Sequence, residues 1–226
     1  MEFNHKSLLI FDLDGTLIDS VPDLSIAVNS MLTHINREVF SEDIIRTWVG
    51  NGAQTLVKRA LSGSSTIDTA LDQALFDKSL TIFLEAYKRA VCQKTEVYPN
   101  VIETLNALKK HNYRLAIMTN KPIVFVKPIL EKLNLLEYFE YFIGGDSLSV
   151  KKPDAQPLLH VCETLNVAVK DSVMIGDSKN DILAANAAKM QSIGVTYGYN
   201  YNEPITRYNP TRVVDDFGQI LESLKR

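Results

Sequence analysis

The feature that most constrains this chain is a series of short apolar runs, each ending in a polar or glycine-rich turn. They are Leu8 to Phe11, Leu115 to Met118, Tyr141 to Ile143, Val173 to Ile175 and Ser192 to Val195. Runs this short and this uniformly apolar suit strands buried on both faces of a sheet. Helical patterns lie between them. Pro99 suits a first helical position, with Val101, Leu105 and Leu108 following at helical spacing. Pro157 suits the same place in the segment running to Leu165. Asp181 to Met190 is alanine-rich and reads as helix. Pro128 predicts a kink or a late helix start between Lys121 and Asn134. A last helix is expected from Phe217 to Lys225. Strands alternating with helices imply a parallel sheet covered on both faces.

One stretch breaks the rhythm. From Ser20 to Lys94 the pattern is purely helical. Val21, Leu24, Val28, Met31, Leu32 and Ile35 mark one apolar face. Ser41 is placed to cap a short helix through Trp48. Leu71, Leu75, Phe83, Leu84 and Tyr87 mark a longer helix. The expected architecture is therefore an α/β, Rossmann-like core of residues 1–18 and 95–226. A small all-helical cap, residues 19–94, is inserted after the first strand.

In an open parallel sheet, ligands bind beyond the carboxyl ends of the strands. The predicted strands deliver polar residues there. The first leads into Asp12-Leu13-Asp14-Gly15-Thr16, the second into Thr119-Asn120-Lys121, and a later one into Gly176-Asp177-Ser178-Lys179-Asn180-Asp181. Lys151-Lys152-Pro153 precedes a helix. Asp12, Asp14, Asp177 and Asp181 would crowd together, and like charges at that distance need compensation. A hard divalent cation such as Mg²⁺ provides it, and a lysine and a threonine beside it suggest a phosphoryl group.

These segments, in this order, resemble the four motifs of the haloacid dehalogenase-like phosphohydrolases, and the helical insert stands where that family's small cap stands. The resemblance implies that Asp12 is a nucleophile forming an aspartyl-phosphate and that Asp14 moves protons. It implies Mg²⁺ held by the Asp12 side chain, the Asp14 carbonyl and Asp177, with Asp181 acting through water or a hydrogen bond. Thr119 and Lys152 would hold the phosphoryl oxygens. Asn120 is a candidate substrate contact. Lys152 is chosen over Lys151 because the family's lysine stands directly before the proline, and both Lys151 and Lys121 are expected on the surface. The Gly50-Asn51-Gly52 turn would hang over the site and read the rest of the substrate.

Within the family, the second aspartate argues against the dehalogenase and phosphonate-cleaving branches. The nearest likeness is to bacterial phosphoglycolate phosphatases, carried further by Trp48-Val49-Gly50-Asn51-Gly52-Ala53 and Gly144-Gly145-Asp146-Ser147-Leu148. This implies Mg²⁺-dependent hydrolysis of 2-phosphoglycolate to glycolate and phosphate. A β-phosphoglucomutase-like enzyme or a broad sugar phosphatase is the alternative, and a non-catalytic phosphate-binding module on the same fold is a remote one. Ala155 stands where the family often has a second proline.

Composition excludes other classes. Formal net charge is −3, which lacks the basic footprint of a nucleic-acid binder. No apolar stretch has bilayer length, and the N-terminus does not read as a signal peptide. Cys92 and Cys162 are far apart and without metal spacing, so a cytoplasmic protein with unpaired thiols is expected. The four histidines form no cluster. Monomer and homodimer both remain open.

Overall fold

The structure, a computed structural model, describes residues 3–224. After β1 (Leu8–Phe11) and the two-residue β2 (Ile18–Asp19) come four consecutive helices: α1 (Val21–His34), α2 (Glu42–Arg46), α3 (Ala53–Ser62) and α4 (Gln73–Ala90). The chain then returns through β3 (Glu96–Val97) and alternates: α5 (Val101–Lys110), β4 (Arg114–Met118), α6 (Ile123–Lys132), β5 (Tyr141–Ile143), α7 (Gln156–Thr164), β6 (Ser172–Gly176), α8 (Lys179–Ala187) and β7 (Gln191–Val195). Last come β8 (Arg212–Val214) and α9 (Gln219–Ser223).

The five apolar runs form one edge, β5, and the four inner positions of a six-stranded parallel sheet, ordered β5-β4-β1-β6-β7-β8. Successive side chains of a strand point to opposite faces. Leu8 and Ile10 accordingly pack with Leu158 and Val161 of α7 and Ala184 and Ala185 of α8. Leu9 and Phe11 pack with Leu105 of α5, Ile129 of α6 and Ile220 of α9. Both faces are covered, so near-continuous hydrophobic strands are what the sheet needs. The second core continues without a break into the helices between β2 and β3, through Val21, Leu24, Met31, Phe83 and Tyr87. The Tyr87 and Phe125 rings meet edge-on at 4.8 Å and join α4 to α6.

Three expectations change. The sixth strand, β8, and the short β2 and β3 lie outside the predicted runs; they are two or three residues long and carry Asp19, Glu96 and Arg212. Pro128 lies inside α6, which begins at Ile123. The carbonyl it leaves without a helix partner belongs to Val124, whose residue is 64% exposed, so water can satisfy it. The last helix is shorter than expected, and its predicted end at Lys225 lies outside the described residues. No helix among the described residues is long and apolar enough to cross a membrane.

The chain passes between the sheet and the four helices at two linkers, and they are tied to each other. Ile18 pairs with Val97 and Asp19 with Glu96, antiparallel. Asp23, in the first turn of α1 and fully buried, accepts from the backbone N–H groups of Gln93, Lys94 and Thr95 and from the Thr95 hydroxyl. Removing this carboxylate leaves three amides and a hydroxyl without their acceptor, and orphaned buried donors are costly. Asp23→Ala is expected to lower unfolding stability by about 2–4 kcal/mol. Urea denaturation checks it, and a loss under about 1 kcal/mol would contradict the role.

Candidate active site

The parallel register of β1 and β6 brings the two acidic motifs side by side. Phe11 pairs with Ile175, and the Asp12 amide donates to the Ile175 carbonyl at 2.9 Å. Asp12 and Asp177 therefore leave neighbouring strands at the same edge. A tight loop follows Asp12, with Leu17 N–H donating to the Leu13 carbonyl at 2.9 Å. Within it Gly15 has φ +87°, and a Cβ there would lie 2.3 Å from the Asp177 carboxylate, so only glycine fits. Thr16 Oγ1 donates to Asp177 Oδ1 at 2.7 Å. On the other side of β1, Thr119 follows β4, buried, with its amide donating to the Ile143 carbonyl at 3.2 Å.

Lys152 reaches this edge from the loop before α7 and is 1% exposed. Its Nζ donates to the Met118 carbonyl at 2.8 Å and Asp181 Oδ1 at 2.6 Å, and lies 3.0 Å from Asp12 Oδ1. Asp181 is also a helix-capping residue. Its Oδ2 accepts from Ser178 N–H, completing a capping box at the start of α8. Each Asp181 carboxylate oxygen thus has its own partner, Oδ1 the Lys152 ammonium and Oδ2 the start of α8.

Asp12, Asp177 and Asp181 each offer a carboxylate oxygen within 4.8 Å of the others, all three buried. Burial, opposed by Lys152 and reinforced by Asp181 and Asp14, pushes the Asp12 carboxyl up to about 7. Burial and the charges of Asp181 and Asp12 hold Asp177 well above the usual carboxylate range. One ammonium does not balance three carboxylates. A pocket of hard, buried, under-compensated oxygen donors fits a divalent cation. The Asp14 carboxylate is not in this cluster. It turns away to Lys121 Nζ, at 2.8 and 2.9 Å, and accepts from Ser20 Oγ at 2.5 Å.

The Gly50-Asn51-Gly52 turn lies against these loops. Gly50 has φ +116°, and its carbonyl accepts from both Asn120 Nδ2 and Asn180 Nδ2 at 3.1 Å. Asn120 Nδ2 also donates to the Lys152 carbonyl at 3.0 Å, so its amide nitrogen ties the turn to the lysine loop. Between turn and sheet edge lies a cavity of about 40 Å³, lined by Asp12, Asp14, Thr119, Asn120 and Lys121 on one side and by Gly50, Gly52, Leu56, Phe83 and Tyr87 on the other.

Two lysines expected at the surface are not there. Lys121 is 5% exposed, buried by its pairing with Asp14 and by the Tyr87 ring, whose centroid lies 4.9 Å from Nζ. Lys151 is half-buried because the turn comes down on it, and its Nζ donates to the Asn51 carbonyl at 2.7 Å. Three tyrosines outside the four motifs also hydrogen-bond to these loops. Tyr197 OH donates to the Thr16 carbonyl at 2.8 Å; Tyr199 N–H donates to Asp177 Oδ2 at 2.7 Å and its OH to Asp19 Oδ1 at 2.6 Å; Tyr201 OH donates to Asn51 Oδ1 at 2.7 Å. Their spacing at every second residue after β7 is the signal that could have found them.

Comparison with known proteins agrees with this geometry. The family model described as haloacid dehalogenase-like hydrolase matches residues 9–195. A protein of Colwellia psychrerythraea named phosphoglycolate phosphatase is 51% identical over 226 residues, covering 100% of both chains. One of the same name from Psychrobacter arcticus is 49% identical over 97% of this chain and 96% of its own. The crystal structure of a predicted phosphoglycolate phosphatase from Haemophilus somnus superposes with a TM-score of 0.91 at 38% identity, covering 98% of this chain and 99% of that one.

The acidic cluster makes a pH prediction. A carboxyl whose folded pKa is raised binds its proton more tightly in the folded state. That contribution is complete below the ordinary value of 3.8 and is lost as pH rises through about 7. A bound cation replaces the proton. The gap in thermal midpoint between magnesium chloride and EDTA is therefore expected to widen by about 4 °C or more from pH 5.5 to pH 8. A gap that stays constant or narrows would contradict cation binding at this cluster.

Proposed function

The chain belongs to the haloacid dehalogenase-like hydrolases, and from that premise we propose that it is a Mg²⁺-dependent phosphatase converting 2-phosphoglycolate to glycolate and phosphate. The observation that carries the reaction is the placement of Asp12 beside Lys152 in an acidic cluster while Asp14, two residues on, faces the same cavity with different partners. Two carboxylates in different surroundings can do different jobs. The substrate rests on the shared name of relatives aligned over the full chain.

On this reading Asp12 attacks phosphorus through a carboxylate oxygen. The ester P–O bond breaks, and Asp14 delivers a proton to the departing glycolate oxygen. Water then attacks the aspartyl-phosphate at phosphorus. Asp14 takes a proton from that water, phosphate leaves and Asp12 is regenerated. Thr119 and Lys152 hold the phosphoryl oxygens through both steps. Asp12, the Asp14 carbonyl and Asp177 would hold the Mg²⁺, with Asp181 supporting them through a hydrogen bond or water. When bound, the cation offsets the charge of the carboxylates and of the phosphoryl oxygens.

Residues 19–94 act on this reading as a cap over a core of residues 1–18 and 95–226. The cavity holds only a few water molecules, so the cap must open to admit substrate and close to shield the aspartyl-phosphate. Asn120 and the Gly50-Asn51-Gly52 turn contact the substrate beyond the phosphoryl group. The cytoplasm suits a protein whose Cys92 and Cys162 are free thiols.

Phosphate release from a panel of small phosphomonoesters, with Mg²⁺ and with chelator, tests the assignment. 2-Phosphoglycolate should be hydrolysed fastest, and only with the metal. Asp12→Asn should lower turnover by on the order of 10⁴-fold, and Asp14→Asn by about 10²- to 10⁴-fold. Preference for a sugar phosphate would overturn the substrate, isomer formation from it would favour a mutase, and full turnover by Asp12→Asn would remove the mechanism.

A further inference from the structure

The cavity over Asp12 and Asp14 is walled largely by apolar side chains, among them Leu24, Leu56, Phe83 and Phe125, and a single cation lines it: Lys121. A buried ammonium is costly unless paired. Lys121 is paired all the same: its Nζ donates to both Asp14 carboxylate oxygens at 2.8 and 2.9 Å, and the Tyr87 hydroxyl lies beside it as a weaker partner. An ammonium has three donors, so it can keep Asp14 and take a second anion. The Tyr87 hydroxyl, in the same wall, is buried and makes no hydrogen bond of ordinary geometry; the group it interacts with is the Lys121 ammonium beside it. Ammonium and hydroxyl together make a site for one compact carboxylate in a chamber that has polar loop residues on one side and apolar side chains on the other.

We propose that Lys121 selects phosphoesters whose leaving group carries a carboxylate, by binding that carboxylate beside Asp14. The assignment rests on the 2-phosphoglycolate reading and adds to it the residue that reads the part of the molecule beyond phosphorus. Asp14 must touch the ester oxygen to protonate it. In 2-phosphoglycolate the carboxylate is separated from that oxygen by one methylene. A group bonded to the Asp14 side chain, as Lys121 is, stands where that carboxylate falls. Lys152 has a different task, since its bonds go to the nucleophile, Asp181 and the Met118 carbonyl.

The test compares kcat/KM for 2-phosphoglycolate with that for ethyl phosphate, which carries a methyl group in place of the carboxylate. Lys121→Met keeps the stem over Tyr87 and removes the charge. Both substrates are expected to slow, because Asp14 loses a partner, but the ratio of the two should fall at least tenfold, mainly through KM for 2-phosphoglycolate. Lys121→Arg should retain more of the ratio than Lys121→Met. In the unaltered protein, glycolate should inhibit ethyl phosphate hydrolysis where ethylene glycol does not, a measurement independent of how the variants fold. A ratio that falls less than tenfold in Lys121→Met, or equal inhibition by glycolate and ethylene glycol, overturns the assignment. If the unaltered protein does not favour 2-phosphoglycolate over ethyl phosphate, the substrate reading fails first, and the assignment with it.

Discussion

Three buried carboxylates forced within 4.8 Å of one another are the arrangement on which the rest of the site depends. Their proximity follows from the backbone. β1 and β6 run parallel in register, so the residues after Phe11 and the residues around Gly176 arrive together. Gly176 leaves no room for a side chain, because a Cβ there would lie 2.3 Å from the Asp181 carboxyl carbon. Such a cluster repels itself, and burial raises the cost. Lys152 relieves part of it from inside, Thr16 and the Tyr199 amide donate to Asp177, and Ser178 donates to Asp181. What remains is a standing demand for positive charge, which is what makes the place useful for anionic chemistry.

The same demand separates two lysines that look alike in sequence. Lys152 is enclosed by the sheet edge and answers to Asp12 and Asp181. Lys121 answers to Asp14 alone among the acidic groups and rests on the Tyr87 ring. The two aspartates of the first motif are thus given separate cations as well as separate surroundings. On the proposed roles, a nucleophile and a proton carrier spaced two residues apart can then be tuned independently, although one loop carries both.

Most of the sheet was legible in the sequence because both its faces are covered. Covered strands need uninterrupted apolar runs, and Leu8 to Phe11 or Val173 to Ile175 announce themselves. The edge strand β8 has no such need: it contains Arg212, which is exposed, and lies just after Pro210. That Asp12, Thr119 and Asp177 meet at one edge was legible because each directly follows a strand of the sheet, whereas Lys152 arrives from the loop before α7. Lys121 and Lys151 were not. Their burial depends on Tyr87 and Asn51, which come from the helical segment, and no local pattern reports a partner that distant in the chain. Tyr197, Tyr199 and Tyr201 escaped for a related reason. Their partners Thr16, Asp19 and Asn51 are 150 or more positions away. Asp23 was hidden by its neighbours, since a lone acid near a helix start reads as an ordinary dipole partner.

The paired linkers have a mechanical consequence. Two independent strands joining two bodies would let one slide, twist or tilt over the other. Here Ile18 and Asp19 are hydrogen-bonded to Val97 and Glu96, and Asp23 anchors the incoming chain at Gln93 to Thr95. A ribbon of two bonded strands bends readily across its face and resists shear within its plane. Whatever movement the helices make relative to the sheet is therefore confined largely to one rotation, like a door on a single pin. On the cap reading, each swing would return the Gly50-Asn51-Gly52 turn to the same spot over the cavity that Asp12 lines, without any further device to aim it.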